Sequence, residues 1–493
     1  MHDLLFRRAR VFDGTGADSR IADVLVAGDG IVAISEPDHS FAATNAREVI
    51  NCEGLALAPG FIDVHTHDDA LLLQNASGKP HPKLSQGVTT VITGNCGVSM
   101  APLQSREVPA PLDILGADAY RFASFAEYLE ALQESRPACN AASLVGHTTL
   151  RVKHVADLSR EATDSECQAM ALDVQAALNA GALGLSTGVY YPPARAASTK
   201  EMMAVAKPLG AVQAPITMHL RNEADAIDDA LREAFAVSKA VGCPLVLSHH
   251  KLIGSNNHGR SVQTLGLIEQ AAALRSVCLD CYPYDASSTM LLPERVASSR
   301  DVRITWSKAQ PEAAGRSLME MAAEQGVESI DLARRLMPAG AVYFAMHEAD
   351  VSRILAHPLT MVGSDGLAHD ASPHPRLWGS FTRVLGRYSR EQRLFPLEIA
   401  VHKMTGLSAS RFGLDRTRAG SQGIRHGRGL IAVGMAADLV LFNPETVKDQ
   451  ASYSAPTQAS LGIERVYVNG HLACLRGETI HANSGRVLKR VPT

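Results

Sequence analysis

Eight short, nearly unbroken apolar runs recur along the middle of the chain. They are LALAPGFIDVHTH (55–67), GVTTVITGNC (87–96), NAASLVG (140–146), GALGLSTG (181–188), APITMHL (214–220), CPLVLSHH (243–250), SVCLDCYPY (276–284) and LTMVGSD (359–365). Helical patterns lie between several of them. Ser124 to Glu127 reads as a capping box, and behind it Phe125, Tyr128, Leu129 and Leu132 fall at helical spacing. Ser198 to Glu201 reads as a second capping box, opening a helix rich in Met and Ala. Continuous apolar strands alternating with helices predict a parallel sheet buried on both faces. Eight such units predict an α/β fold of the (β/α)8, TIM-type barrel kind. An open, doubly wound sheet is the alternative. The barrel is preferred because the polar residues gather at the C-terminal ends of the runs, where barrels build their sites.

The two chain ends follow another pattern. Short alternating runs (LLFRRARVF, ADVLVAG and GIVAISE at one end; GLIAV, ADLVLFN, IERVYVNG and HLACLRG at the other) are separated by turn residues with no helices between them. Asn469-Gly470 is a hairpin signal, and Gly28-Asp29-Gly30 reads as a hairpin turn rather than a phosphate loop. Residues 1–54 and 415–493 are therefore expected to pair into one small β-sandwich of antiparallel strands, with the barrel spanning 55–414. The stretch 286–350 exceeds a normal strand-to-helix link and is expected to be an inserted subdomain or lid.

Composition narrows the function classes. A chain of 493 residues with 46% apolar and 20% charged residues is ordinary globular material, large enough for one big domain and a smaller one. The net charge of -4, without a basic stripe or polybasic tail, points away from nucleic acid and anionic membrane surfaces. The three-residue apolar run of MHDLLFRRAR is broken by Arg7 and Arg8, so no secretory signal is expected there, and no apolar run is long enough for a bilayer. Eight scattered cysteines argue against a disulfide scaffold and for a cytoplasmic location. No oligomeric state follows from the sequence.

The candidate chemistry sits at the strand ends. His65 and His67, in Asp63-Val64-His65-Thr66-His67, share a face if the strand alternation continues through them. Cys96 ends the second run, His219 the fifth, His249 the sixth and Asp365 the eighth. Taken singly, each has a plain reading as a hydrogen-bonded histidine, a buried thiol or a turn residue. Four imidazoles, a thiolate and a carboxylate at one end of five strands form a donor set suited to Zn(II). The Cys278–Cys281 pair is set aside, because residues three apart on a strand face opposite ways. His250 is expected to point away from the interior, and His147 is left unassigned. Asp68 and Asp69 are either support for ligand histidines or solvated rim residues.

With these residues in view, the chain resembles a known family. Gly60 to His67 looks like the first-strand signature of the amidohydrolase superfamily, and Gly434-Met435-Ala436-Ala437-Asp438-Leu439-Val440 resembles its small-domain segment. The GNCG, SHHK, CYPYDASST and HPRLWGSF runs resemble the D-aminoacylases, the N-acyl-D-amino-acid deacylases. The resemblance implies a tight zinc held by Cys96, His219 and His249. It implies a second, weaker site completed by His65 and His67, with Asp365 beside it as ligand and general base. Hydantoinases and dihydroorotases, which act on cyclic amides and ureides, bridge two metals with a carboxylated lysine on strand four. Gly184-Leu185-Ser186-Thr187-Gly188 has no lysine, and Cys96 takes the bridging part in the D-aminoacylase pattern. A catalytically silent scaffold on the same fold would be expected to have lost ligands, and here all six positions are filled.

The resemblance further gives Arg376, Tyr282 and Ser288 the task of holding the substrate α-carboxylate. A guanidinium suits that role because it binds carboxylate in bidentate fashion. Lys251 either contacts substrate or is solvated. Arg295 either meets an acidic substrate side chain, which would favour N-acyl-D-glutamate, or pairs with Glu294 or another acid.

Overall fold

The computed structural model of the protein describes residues 2–36, 39–74, 80–116, 118–420 and 423–490. Eight strands from the eight apolar runs form its centre. They are β1 (Phe61–Asp63), β2 (Val88–Thr93), β3 (Asn140–Ser143, continued by Val145–Gly146), β4 (Leu185–Gly188), β5 (Ile216–His219), β6 (Leu245–Leu247), β7 (Val277–Cys281) and β8 (Thr360–Val362). All neighbouring pairs are parallel and follow chain order. Two arcs make up the ring. They are continuous through β3, and they meet again where Thr66 bridges Gly366 in parallel and the Asp365 N–H donates to the His65 carbonyl at 2.8 Å. That second seam is clasped by Lys83, whose buried ammonium donates to Asp63 at 2.8 Å and to Ser364 at 2.7 Å.

The strands are buried along their whole length because both of their faces are covered. Ile62, Ile92, Ala142, Val246, Cys278 and Met361 form one cluster, joined by Leu407 and Phe412 of the helix Gly406–Phe412. Phe61, Val91, Leu185, Ile216, Leu245 and Val362 belong to a second cluster shared with the surrounding helices. This alternation of faces is what a two-layered barrel requires.

The helix starts are only partly as read. Ser124 accepts from the Glu127 N–H, but the Glu127 carboxylate returns to Ala123 N, one residue early. Ser198 accepts from the Glu201 N–H, but the Glu201 carboxylate turns away to His147 and Arg151. Two buried cationic or polar side chains outcompete one backbone N–H for it. The complete capping box lies at Thr163 and Glu166.

Strands from both chain ends form one nine-stranded sheet. Ala56–Pro59 belongs to it, pairing with the first strand of the chain (His2–Val11) and with Leu439–Phe442, so the run 55–67 divides at Gly60 between two sheets. The sheet is mixed: His2–Val11 runs parallel to Ala46–Asn51 and to Ala56–Pro59. The Asn469-Gly470 turn joins two antiparallel strands with φ of 50° and 79°, values that suit a tight hairpin. Residues 287–343 carry a three-stranded antiparallel sheet and three α-helices around a core of their own, including Leu291, Ile304, Leu332 and Tyr343. Among the described residues no helix is long and apolar enough to cross a membrane.

Candidate metal centre and substrate pocket

The ends of β1, β2, β5, β6 and β8 bring their polar side chains together. Cys96 Sγ lies 3.2 Å from His65 Nε2 and 3.3 Å from His249 Nε2, and His249 Nε2 lies 3.0 Å from His219 Nδ1. Asp365 Oδ1 is 3.6 Å from His65 Nε2 and 3.4 Å from His67 Nε2. Two donor groups result: His65, His67, Cys96 and Asp365, and Cys96, His219 and His249, each with its ligand atoms within 4.8 Å of one another. Cys96 belongs to both. All six residues are buried.

The electrostatics suit a cation. Burial resists a charge on Cys96, yet the neighbouring His65 and His249 hold its thiol well below the usual range, favouring thiolate. Burial likewise resists charge on Asp365, but Arg376 and the bond to His67 hold its carboxyl well below the ordinary value. A buried assembly of imidazoles around a thiolate, with a carboxylate at its edge, fits zinc in ligand type and number.

The local backbone is shaped for this convergence. Cys96, His249 and Asp365 have φ of 53°, 36° and 49°, a region that side-chain-bearing residues avoid and that clusters at functional sites. Strand alternation does not place the first pair, because β1 ends at Asp63 and the Asp63 carboxylate goes to Lys83 and Ser364. Strand four has a steric reason to lack lysine. A Cβ on Gly188 would stand 2.0 Å from the Cys96 carbonyl oxygen, so the loop carrying the shared thiolate occupies that space.

Around the donors, Arg376 is fully buried. Its Nη1 lies 2.9 Å from Asp365 Oδ2, its Nη2 donates to the Ser288 carbonyl at 3.0 Å, and its guanidinium sits 4.6 Å from the Tyr282 ring centroid. Ser288 Oγ is buried without a hydrogen-bond partner among the described residues. Lys251 Nζ lies 5.7 Å from the Tyr282 ring and bonds Glu223 and His249, so it belongs to the site rather than to solvent. Arg295 approaches from another side. It donates to Ser287 at 3.1 Å and lies 4.6 Å from the Tyr343 ring and 5.8 Å from the Tyr190 ring; Tyr190 in turn stacks on His219. Among the described residues it forms no ion pair with Glu294 or any other acid.

Outside the donor set, His250 turns as the sequence reading expected, while other residues were left open or gave no signal. Asp68 and Asp69 are buried rather than solvated; Asp68 faces Lys83 at 3.3 Å, and burial pushes the Asp69 carboxyl up to about 7. His250 turns outward to Thr264 at 3.0 Å, and His147 bonds Glu201 at 3.0 Å. Asp280, behind His65 at 3.3 Å, accepts the His249 N–H at 2.9 Å. Its signal was a lone acid inside the apolar run of β7. Glu223 and Tyr190 gave no signal.

The amidohydrolase family matches residues 48–264 and 275–473. An N-acyl-D-aspartate deacylase of Alcaligenes xylosoxydans xylosoxydans is 51% identical, over 95% of this chain and 91% of that one. A crystal structure of D-aminoacylase superposes with a TM-score of 0.93 at 49% identity, covering 99% of this chain and all of the other. The N-acyl-D-glutamate deacylase of Bordetella bronchiseptica, crystallised with zinc and a phosphonate inhibitor, superposes at 0.90 with 44% identity, covering 99% of both chains. The L-hydantoinase of Arthrobacter aurescens, 16% identical with a TM-score of 0.61, shares the fold alone. This chain belongs to the amidohydrolase family.

Proposed function

We propose that the protein is a zinc-dependent deacylase that cleaves the amide bond of N-acyl-D-amino acids, releasing a carboxylate and the free D-amino acid. The observation that carries this reading is the thiolate Cys96, which is shared by two histidine groups. The lack of a lysine from Gly184 to Gly188 is what weighs against a cyclic amide or ureide as substrate. Cys96, His219 and His249 hold the tight zinc, with His65, His67 and Asp365 beside it. Zinc supplies Lewis acidity there, making water a better nucleophile and polarising the amide carbonyl. Asp365 serves as general base, taking the proton from water and returning it to the departing nitrogen.

Arg376 holds the α-carboxylate, with the hydroxyls of Tyr282 and Ser288 and the ammonium of Lys251 nearby. The Arg376 contact with Asp365 orients the base and places the substrate carboxylate close to it. Arg295 receives the carboxylate of an acidic side chain, so N-acyl-D-glutamate and its shorter homologue are the preferred class. The eight cysteines are all free and buried, which supports a reducing, cytoplasmic setting.

The test is release of free amino acid from N-acetyl-D- and N-acetyl-L-amino acids by wild type and Asp365→Ala, with and without zinc. Zinc-dependent turnover of D-substrates only, reduced at least about 10³-fold by the substitution, is expected. Turnover of hydantoins in place of acyl-amino acids would overturn the reading.

A further inference from the structure

Glu223, four residues beyond His219, is buried directly behind the metal donors. Its Oε1 lies 2.5 Å from Lys251 Nζ and 3.1 Å from His249 Nδ1, and its Oε2 lies 3.8 Å from His219 Nε2. His249 Nδ1 therefore has two neighbours, because Lys251 Nζ also stands 2.7 Å from it.

The two neighbours demand opposite tautomers. An ammonium only donates, so a bond from Lys251 requires a bare Nδ1 and puts the ring proton on Nε2. Nε2 is the atom that faces Cys96 and His219, and with a proton on it no lone pair remains for a metal. An ionised carboxylate only accepts, so a bond to Glu223 puts the proton on Nδ1 and leaves Nε2 bare.

We infer that Glu223 is a positioning residue with two tasks: it fixes His249 as the Nδ1–H tautomer, and it holds the Lys251 ammonium, which stands 5.7 Å from the Tyr282 ring. One carboxylate thus links the metal side of the site to the carboxylate-binding side. Neither task alone requires this placement. A carboxylate serving only His249 would not need to lie within 2.5 Å of a buried lysine, and a carboxylate serving only Lys251 would not need to reach the ring. The inference rests on the zinc reading above.

The experiment compares wild type, Glu223→Leu, Lys251→Met and the double variant. Each is stripped of metal and titrated with zinc against a chromogenic chelator, then assayed for kcat and KM on N-acetyl-D-glutamate. Wild type that takes up no zinc would dispose of the metal reading itself. Leucine has no acceptor to offer Nδ1–H. Where wild type binds zinc, Glu223→Leu is expected to bind it about 10–100-fold more weakly and to show a raised KM. Lys251→Met is expected to raise KM while its zinc affinity stays within a few-fold of wild type. The double variant keeps the buried site neutral, so it reads the Glu223 effect on zinc even if the single variant does not fold; it should bind zinc as weakly as Glu223→Leu. Wild-type zinc affinity in the leucine-bearing variants overturns the inference. So does a zinc loss in Lys251→Met equal to that in Glu223→Leu.

Discussion

Arg295 shows how a single residue can disagree with stability and thereby point to a ligand. The residue is 7% exposed; its guanidinium has one hydroxyl partner and two aromatic rings, and it forms no ion pair among the described residues. Burying a charge costs several kcal/mol, and here the cation is held by aromatic rings and the more distant Glu223 rather than by an ion pair. An acidic substrate side chain would supply the missing partner. Replacing Arg295 with Met, similar in length but uncharged, is therefore expected to leave the unfolding temperature unchanged or raise it. The same variant should lose about 10²-fold in kcat/KM on N-acetyl-D-glutamate and only a few-fold on N-acetyl-D-leucine. Equal losses on both substrates would remove the side-chain role. At this scale the sequence was informative about donors and silent about their supports. Cys96, His219, His249 and Asp365 each end an apolar run, and a polar residue there stands out. Glu223 lies in a loop whose sequence looks solvated, and only the folded chain brings it behind His249. Arg295 could be singled out but not distinguished from a surface ion pair until its surroundings were known.

At the scale of elements, eight apolar runs predicted eight strands because each strand must be apolar on both faces. Where a strand serves two masters, pattern reading failed. The run 55–67 looks continuous, yet its first half pairs with the chain-end sheet and its second half with the barrel. Hydrophobicity is the same on both sides of Gly60, and only hydrogen-bond partners differ. The helix Thr199–Val212 was recognisable from Ser198, but the matching Glu201 has another use. It receives His147 at 3.0 Å, an Arg151 guanidinium and the Ala162 N–H at 2.9 Å, and so pins the helix His147–His154 to its neighbour. Burial raises the Glu201 carboxyl, but the His147 and Arg151 contacts prevail and set it at about 2, against an ordinary 4.5. A depressed carboxylate gives stability that is complete above the unfolded value and lost as pH falls through the folded one. Glu201→Gln is therefore expected to lower stability at pH 7 by about 3 kcal/mol, the low end for breaking a buried ion pair. The gap to wild type should close as pH falls from 4.5 toward 2, read as the difference in urea midpoint on metal-stripped protein. A gap independent of pH would mean that the Glu201 contribution is packing rather than charge.

For the whole molecule, the donor set spans five of the eight barrel strands while the barrel carries a continuous apolar core of its own. Those two facts make different forecasts for metal removal. Where a small domain has too little core, its metal supplies the folding energy and chelation unfolds it. Here both strand faces are packed, and the ring is closed by Lys83, Asp63 and Ser364 independently of the donors. Stripping zinc should therefore abolish activity and leave the far-UV circular dichroism unchanged. It should still lower the unfolding temperature, because a ligand bound only by the folded state adds stability that grows with its concentration. At free zinc about 100 times its dissociation constant the gain is about 2.7 kcal/mol, and the unfolding temperature should climb steadily as zinc is restored. The increase should be absent in Cys96→Ala, since Cys96 belongs to both donor groups. Loss of the helical signal on chelation would instead make the metal part of the scaffold, and an unfolding temperature indifferent to zinc would separate these six residues from any metal.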